Sequence, residues 1–208
     1  MYCSGKFRAL RAGKGNDLKE KNHVVQFESA GKWELWLERN YGSSPGVWLR
    51  IFKKDSDRKS VTYSEAVDTA LCYGWIDGQK DKYDGLSWIQ RFTPRRAKSG
   101  WSKNNTRRAD QLIKAGKIRP AGLKEVEQAK QDGRWAKAYD SPGKASISDD
   151  FMRELDKNRK AKAFFETLNK ANTYAISYRL QTAKKAETRE KHMKNIIAML
   201  SRGQKFHP

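Results

Sequence analysis

The sequence predicts an α+β fold: a small mixed β-sheet with packed helices, followed by a helical C-terminal module. Three observations carry that expectation. Residues 47–53 set Val47, Leu49 and Ile51 against Trp48, Arg50 and Phe52, the two-residue period of a strand covered on both faces. Residues 30–40 and 62–74 flank it with apolar side chains at helical spacing. From Ser102 onward every periodic stretch is helical and short.

Each element follows from local signals. Residues 1–23 hold few large apolar side chains; Lys6, Arg8, Arg11 and Lys14 fall among the first sixteen residues with no acid. A flexible basic N-terminal arm is expected there, and the apolar stretch of a secretory signal is missing from it. Residues 23–27 read as a short strand. The helix over 30–40 carries Trp33, Leu35, Trp36 and Leu37, with Asn40 and Gly42 as stop signals. Thr62-Tyr63-Ser64-Glu65 is a capping box: hydroxyl and carboxylate three residues apart satisfy each other's backbone N–H groups. The helix it opens places Ala66, Val67, Ala70 and Leu71 on one face and ends at Gly74. Asp84-Gly85 is a turn signal between strands at 79–83 and 86–92, and Pro94 stops the second.

Beyond that, Ser102 or Asn104 caps a helix over 105–115, and Leu123, Val126 and Ala129 mark another over 122–132. Pro142 and Gly143 make residues 140–146 the best internal boundary. Ser148, Asp149 and Asp150 cap the next helix, which holds Phe151, Met152 and Leu155. A helix over 159–169 and one or two more from 173 to about 200 complete the chain. The expected organisation is an arm over 1–23, an α+β domain over 24–140, a helical module over 147–202 and a tail over 203–208.

Composition limits the function classes. The chain of 208 residues carries 44 basic and 24 acidic side chains, a net charge of +20. Such a field attracts nucleic acid, anionic lipid or acidic ligands. Seven Trp, eight Tyr and eight Phe supply an aromatic core. No run of 18 apolar residues exists, which excludes a helix crossing a membrane. Cys3 and Cys72 lie far apart; Cys72 falls in an apolar helical pattern and is expected to be a buried reduced thiol, which points to the cytoplasm.

The densest chemistry lies between Leu71 and Asn105. Arg91, Arg95, Arg96, Lys98, Lys103, Arg107 and Arg108 fall within 18 residues with no acid among them, and Phe92 and Trp101 interleave with them. Arginine forks bind phosphate or carboxylate, aromatic faces stack bases, and a helix start adds backbone donors. Trp75, Asp77, Arg91, Arg95, Arg96, Trp101, Ser102 and Asn105 are the candidate residues for an anionic ligand, nucleic acid or protein partner. A solvated basic rim around a Trp-anchored hairpin would give the same pattern.

Catalytic signals are weak. Only His23, His192 and His207 are available, and there is no CxxC, P-loop, GxGxxG or GxSxG. No metal site and no cofactor is expected. Asp77, within Gly74-Trp75-Ile76-Asp77-Gly78, is the one carboxylate placed to act as a general base, with Arg95 as charge clamp on a phosphorylated or nucleotide-like molecule. A salt bridge to Arg91 or Arg95, or an Asx turn onto Gly78, is the simpler reading of it.

Several motifs resemble one family. Trp33-x-x-Trp36-Leu37, the Gly74–Gly78 pentapeptide, Phe92-Thr93-Pro94-Arg95-Arg96, Ser99-x-Trp101-Ser102-x-x-Asn105, Asp132-Gly133-Arg134-Trp135 and Ala183-Lys184-Lys185-x-Glu187-Thr188-Arg189 are similar to those of the YdeI/OmpD-associated, or bacteriocin-protection, proteins. The resemblance spans about residues 30–202. It implies a soluble cytoplasmic protein of stress responses and tolerance of bacteriocins or antimicrobial peptides, and it carries no catalytic residue with it. A chain of net charge +20 repels a cationic peptide, so protection would run through an anionic or protein partner.

Overall fold

A computed structural model describes residues 24–208; the basic arm expected over 1–23 lies outside the described residues. Among these it has a four-stranded mixed sheet and eight helices, the α+β class expected. The chain divides into two compact units: residues up to 95 with 118–122, and residues 96–117 with 123–208.

The first unit holds β1 (Val24–Gln26), α1 (Ala30–Asn40), β2 (Val47–Phe52), α2 (Tyr63–Cys72), β3 (Trp75–Lys82) and β4 (Ser87–Pro94). The sheet order is β1-β2-β4-β3; β1 runs parallel to β2, and the other pairs are antiparallel. Parallel strands need a crossover, which α1 supplies between β1 and β2. Ser29 caps α1 by accepting from the Lys32 N–H. Trp33 and Leu37 are fully buried, and the Trp33 indole N–H donates to the Ala66 carbonyl of α2 at 3.1 Å. Thr62 and Glu65 form the predicted capping box.

Strand β2 is buried on both faces, as its composition requires: Val47, Leu49 and Ile51 on one, Trp48 and Phe52 on the other. Trp33 meets Phe92 at 5.6 Å and Trp36 meets Trp75 edge-on at 5.9 Å, so the first face packs on α1. Cys72 is buried in this unit.

Strand β3 is longer than its sequence suggests. It runs unbroken from Trp75 to Lys82 and absorbs Gly78 in a bulge, where two residues, Gly78 and Gln79, stand opposite Arg91. The buried Gln90 amide donates to the Gly78 and Gln79 carbonyls at 2.9 and 3.2 Å, replacing the ladder bonds the bulge forfeits.

The second unit contains α3 (Lys103–Lys114), most of α4 (Pro120–Gln131), α5 (Asp149–Asp156), α6 (Arg159–Phe165), α7 (Lys170–Gln181) and α8 (Ala186–Ser201). Pro120 opens α4 at the one turn where a missing N–H costs nothing. Phe151, Leu155, Ala161, Ile176, Leu180, Ile196 and Leu200 form one buried cluster drawn from α5 to α8. Asn158 and Asn169 cap α6 and α7. Gly203, at φ +68°, ends α8, and residues 206–207 return to α7. No helix among the described residues is long and apolar enough to cross a membrane.

Candidate anion-binding site

The eight residues singled out by the sequence divide between the units. Trp75, Asp77, Arg91 and Arg95 belong to the first; Arg96, Trp101, Ser102 and Asn105 belong to the second.

In the first unit most of them build the hairpin. Trp75 is 1 % exposed, and its indole N–H donates to the Tyr41 carbonyl at 3.1 Å. Asp77 follows on the same face of β3, half-buried; its carboxylate accepts from the Tyr63 hydroxyl at 2.7 Å. The Arg91 guanidinium lies 5.9 Å from the Trp48 ring. Arg95 is 7 % exposed, and its backbone N–H donates to the Gly74 carbonyl at 3.0 Å.

In the second unit the Ser-x-Trp-Ser and Asp-Gly-Arg-Trp motifs form one structure. Arg96 is exposed, on a turn closed by the Ser99 hydroxyl. Arg134 is gripped by Asp132 and donates to the Ser99 carbonyl at 2.8 Å. Trp101 is buried against Trp135, ring centres 4.9 Å apart. The Tyr139 N–H donates to the Trp101 carbonyl, and the Lys103 N–H to the Tyr139 carbonyl. Ser102 then caps α3 by accepting from the N–H of Asn105, which is itself buried. Trp101, Ser102 and Asn105 therefore hold the start of α3 in place and aim their neighbours.

What they aim is a cavity of about 250 Å³ lined by Lys103, Asn104, Arg107, Asp140, Ser141 and Lys144. Lys103 and Arg107 are one helical turn apart at the start of α3, where there is no acid and the helix dipole favours an anion. Arg107 donates to the Asn104 carbonyl oxygen at 2.9 Å. Lys144 comes from the turn-rich stretch after Pro142. The single carboxylate, Asp140, is engaged: it accepts from Lys103 at 2.8 Å and from the Gln181 amide at 2.9 Å. The Lys103 hydrogen bond holds the Asp140 carboxyl below the usual aspartate value, against the burial that raises it. Three cations against one bonded acid leave a net positive pocket.

Sequence reasoning found Lys103 and Arg107 inside the acid-free run but passed over Asn104, Asp140, Ser141 and Lys144. The last three sit in a stretch whose only sequence signal is a turn. The Ser102↔Tyr139 bridge that brings it to α3 is a long-range pairing with no local mark. Among the described residues no cluster of His, Cys, Asp and Glu could hold a metal ion.

Two family models match the chain. Residues 25–125 match a domain of unknown function, DUF8412, and residues 144–203 match the family described as bacteriocin-protection, YdeI or OmpD-associated. The Gly-Trp-Ile-Asp-Gly and Phe-Thr-Pro-Arg motifs fall within the first match, so the second is shorter than the 30–202 span of the resemblance. No curated protein and no solved structure matches the chain.

Proposed function

We propose that the chain, whose residues 144–203 match the family described as bacteriocin-protection, YdeI or OmpD-associated, is a non-enzymatic binding protein of stress or bacteriocin tolerance. It acts in the cytoplasm and docks an anionic partner at the cavity that opens α3. The observation that carries this is the cavity's charge: Lys103, Arg107 and Lys144 converge from two segments, and the one acid among them is already bonded. A net charge of +20 draws such a partner in from a distance. The buried indoles of Trp75 and Trp101 cannot stack on a base, so the partner is held through charge and not through sequence. Asp77 bonded to Tyr63 and Arg95 buried beside Gly74 support binding over catalysis.

The test is fluorescence anisotropy with single- and double-stranded oligonucleotides across a salt series, with polyglutamate as competitor, for wild type and Arg107→Ala/Lys144→Ala. The expected result is binding that weakens steeply with salt and a shallower slope in the variant. Competition by polyglutamate at equal charge would assign the site to carboxylates as much as to phosphates. An identical slope in both proteins, or no binding by wild type near physiological salt, overturns the proposal.

A further inference from the structure

A second cavity, in the C-terminal module, combines a charge with an apolar wall. It measures about 250 Å³ and is lined by Arg179, His192, Asn195, Ile196, Met199 and Phe206. That is room for about eight waters at roughly 30 Å³ each, the scale of a single-ring molecule and not of a long acyl chain.

The lining is built and held. The Arg179 guanidinium lies over the Phe206 ring, 3.8 Å from its centre, and gives one donor to the Ala175 carbonyl at 3.1 Å. A guanidinium has five donors, and among the described residues no carboxylate is bonded to this one. The His192 Nδ1 stands 3.2 Å from the Arg179 carbonyl. A carbonyl only accepts, so Nδ1 carries the proton and the ring is fixed with Nε2 as its remaining polar atom. Ile196 and Met199 project from the same helix, α8, and make the wall apolar.

The fourth side, Phe206, is held by a buried amide. Asn172, 1 % exposed, accepts from the Phe206 and His207 N–H groups at 2.9 Å each and donates to the His207 carbonyl at 3.2 Å. Its other N–H donates to Asn169 at 3.0 Å, so every polar valence of the amide is used. Residues 206–207 are thus a fixed strap, and Phe206 is a wall and not a loose end.

We propose that this cavity is a binding site for a small carboxylate with an apolar single-ring body. The carboxylate pairs with Arg179 and reaches Asn195, and the ring packs between Ile196, Met199 and Phe206. A half-buried cation with no acid beside an apolar wall is complementary to that class of ligand and to neither a neutral ring nor a hydrophilic anion.

Hydrocinnamate and its neutral counterpart, hydrocinnamyl alcohol, are the probes, titrated by calorimetry against the full chain. Asn195→Asp sits at an exposed position, leaves the fold intact and places an acid beside Arg179. The expected result is saturable binding of the acid, at least about tenfold weaker binding of the alcohol, and a loss of at least about tenfold in Asn195→Asp, the size of one lost charge-assisted hydrogen bond. Arg107→Ala/Lys144→Ala should bind hydrocinnamate as wild type does. Failure of the acid to bind, equal binding of acid and alcohol, an unaffected Asn195→Asp, or loss in Arg107→Ala/Lys144→Ala would each overturn the assignment.

Discussion

Lys103 and Asp140 meet at 2.8 Å, and their pairing sets how much positive charge the cavity at the start of α3 presents. The Lys103 side chain is 64 % exposed and that of Asp140 only 18 %, so the bond fixes the carboxylate more than it stabilises the fold. Asp140→Asn keeps an acceptor for Lys103 and removes the only acid. Its oligonucleotide affinity should rise at low salt, with a salt slope steeper by about one unit per phosphate newly engaged. Anisotropy titrations at several salt concentrations measure both.

Acid sensitivity should trace to Asp150. Arg189 grips its carboxylate with two N–H groups, one to Oδ1 at 2.9 Å, and also donates to the Ser148 hydroxyl at 3.0 Å. The Arg189 bonds hold the Asp150 carboxyl far below its ordinary value of 3.8. A carboxyl depressed in the folded state stabilises above its unfolded value, and that contribution fades as pH falls through the folded one. With side chains 29 % and 40 % exposed, the pair contributes about 1 kcal/mol after screening. Asp150→Asn should therefore be less stable than wild type by about that much in urea at neutral pH. The gap should begin to close only below pH 4, as urea melts down the pH scale would record.

Gly122 sits where no side chain fits. A Cβ there would fall 2.4 Å from the Cys72 carbonyl oxygen and 2.5 Å from that of Leu71, both backbone atoms at the end of α2. Gly122→Ala should cost about 1–3 kcal/mol, typical of forced overpacking, although Ala is the better helix former. A thermal melt showing wild-type stability would count against the close approach.

The module's core should be equally sensitive. Leu155 is fully buried in the cluster with Phe151, Ile176 and Leu200. Leu155→Ala should destabilise by about 2–5 kcal/mol, the range for a large-to-small change that leaves a cavity. Chemical denaturation followed by far-UV circular dichroism reports it.

Local signals carried much of the fold. Thr62 and Glu65 cap α2 as their spacing requires, Asp84 and Gly85 turn the hairpin, and α1 spans the expected residues 30–40. The expected helix over 159–169 is instead α6 and the cap of α7. Asn169 is a poor helix interior residue but a good cap, and the choice between those roles is tertiary.

The site was less legible. Trp101 stands among arginines in sequence and suggests a stacking platform, yet Trp135, more than thirty residues later, buries it. The basic run supplied Lys103 and Arg107, but Lys144 and Asp140 reach them only through the pairing of Tyr139 with Ser102. No local periodicity announces a contact between residues that far apart.

The bulge in β3 changes the strand's phase. Before it, Trp75 and Asp77 share the face of Phe92; after it, that face passes to Lys80 and Lys82, opposite Gln90 and Trp88, while Asp81 stands opposite Ile89 on the other. Lys80 rests its ammonium 4.7 Å from the Trp88 ring as a result. Deleting Gln79 would leave Gly78 alone opposite Arg91 and restore plain alternation, with Lys80 and Lys82 still opposite Gln90 and Trp88 and Asp81 still opposite Ile89. The extra residue therefore bends and twists the hairpin, and its loss would straighten the strand without turning the tip over.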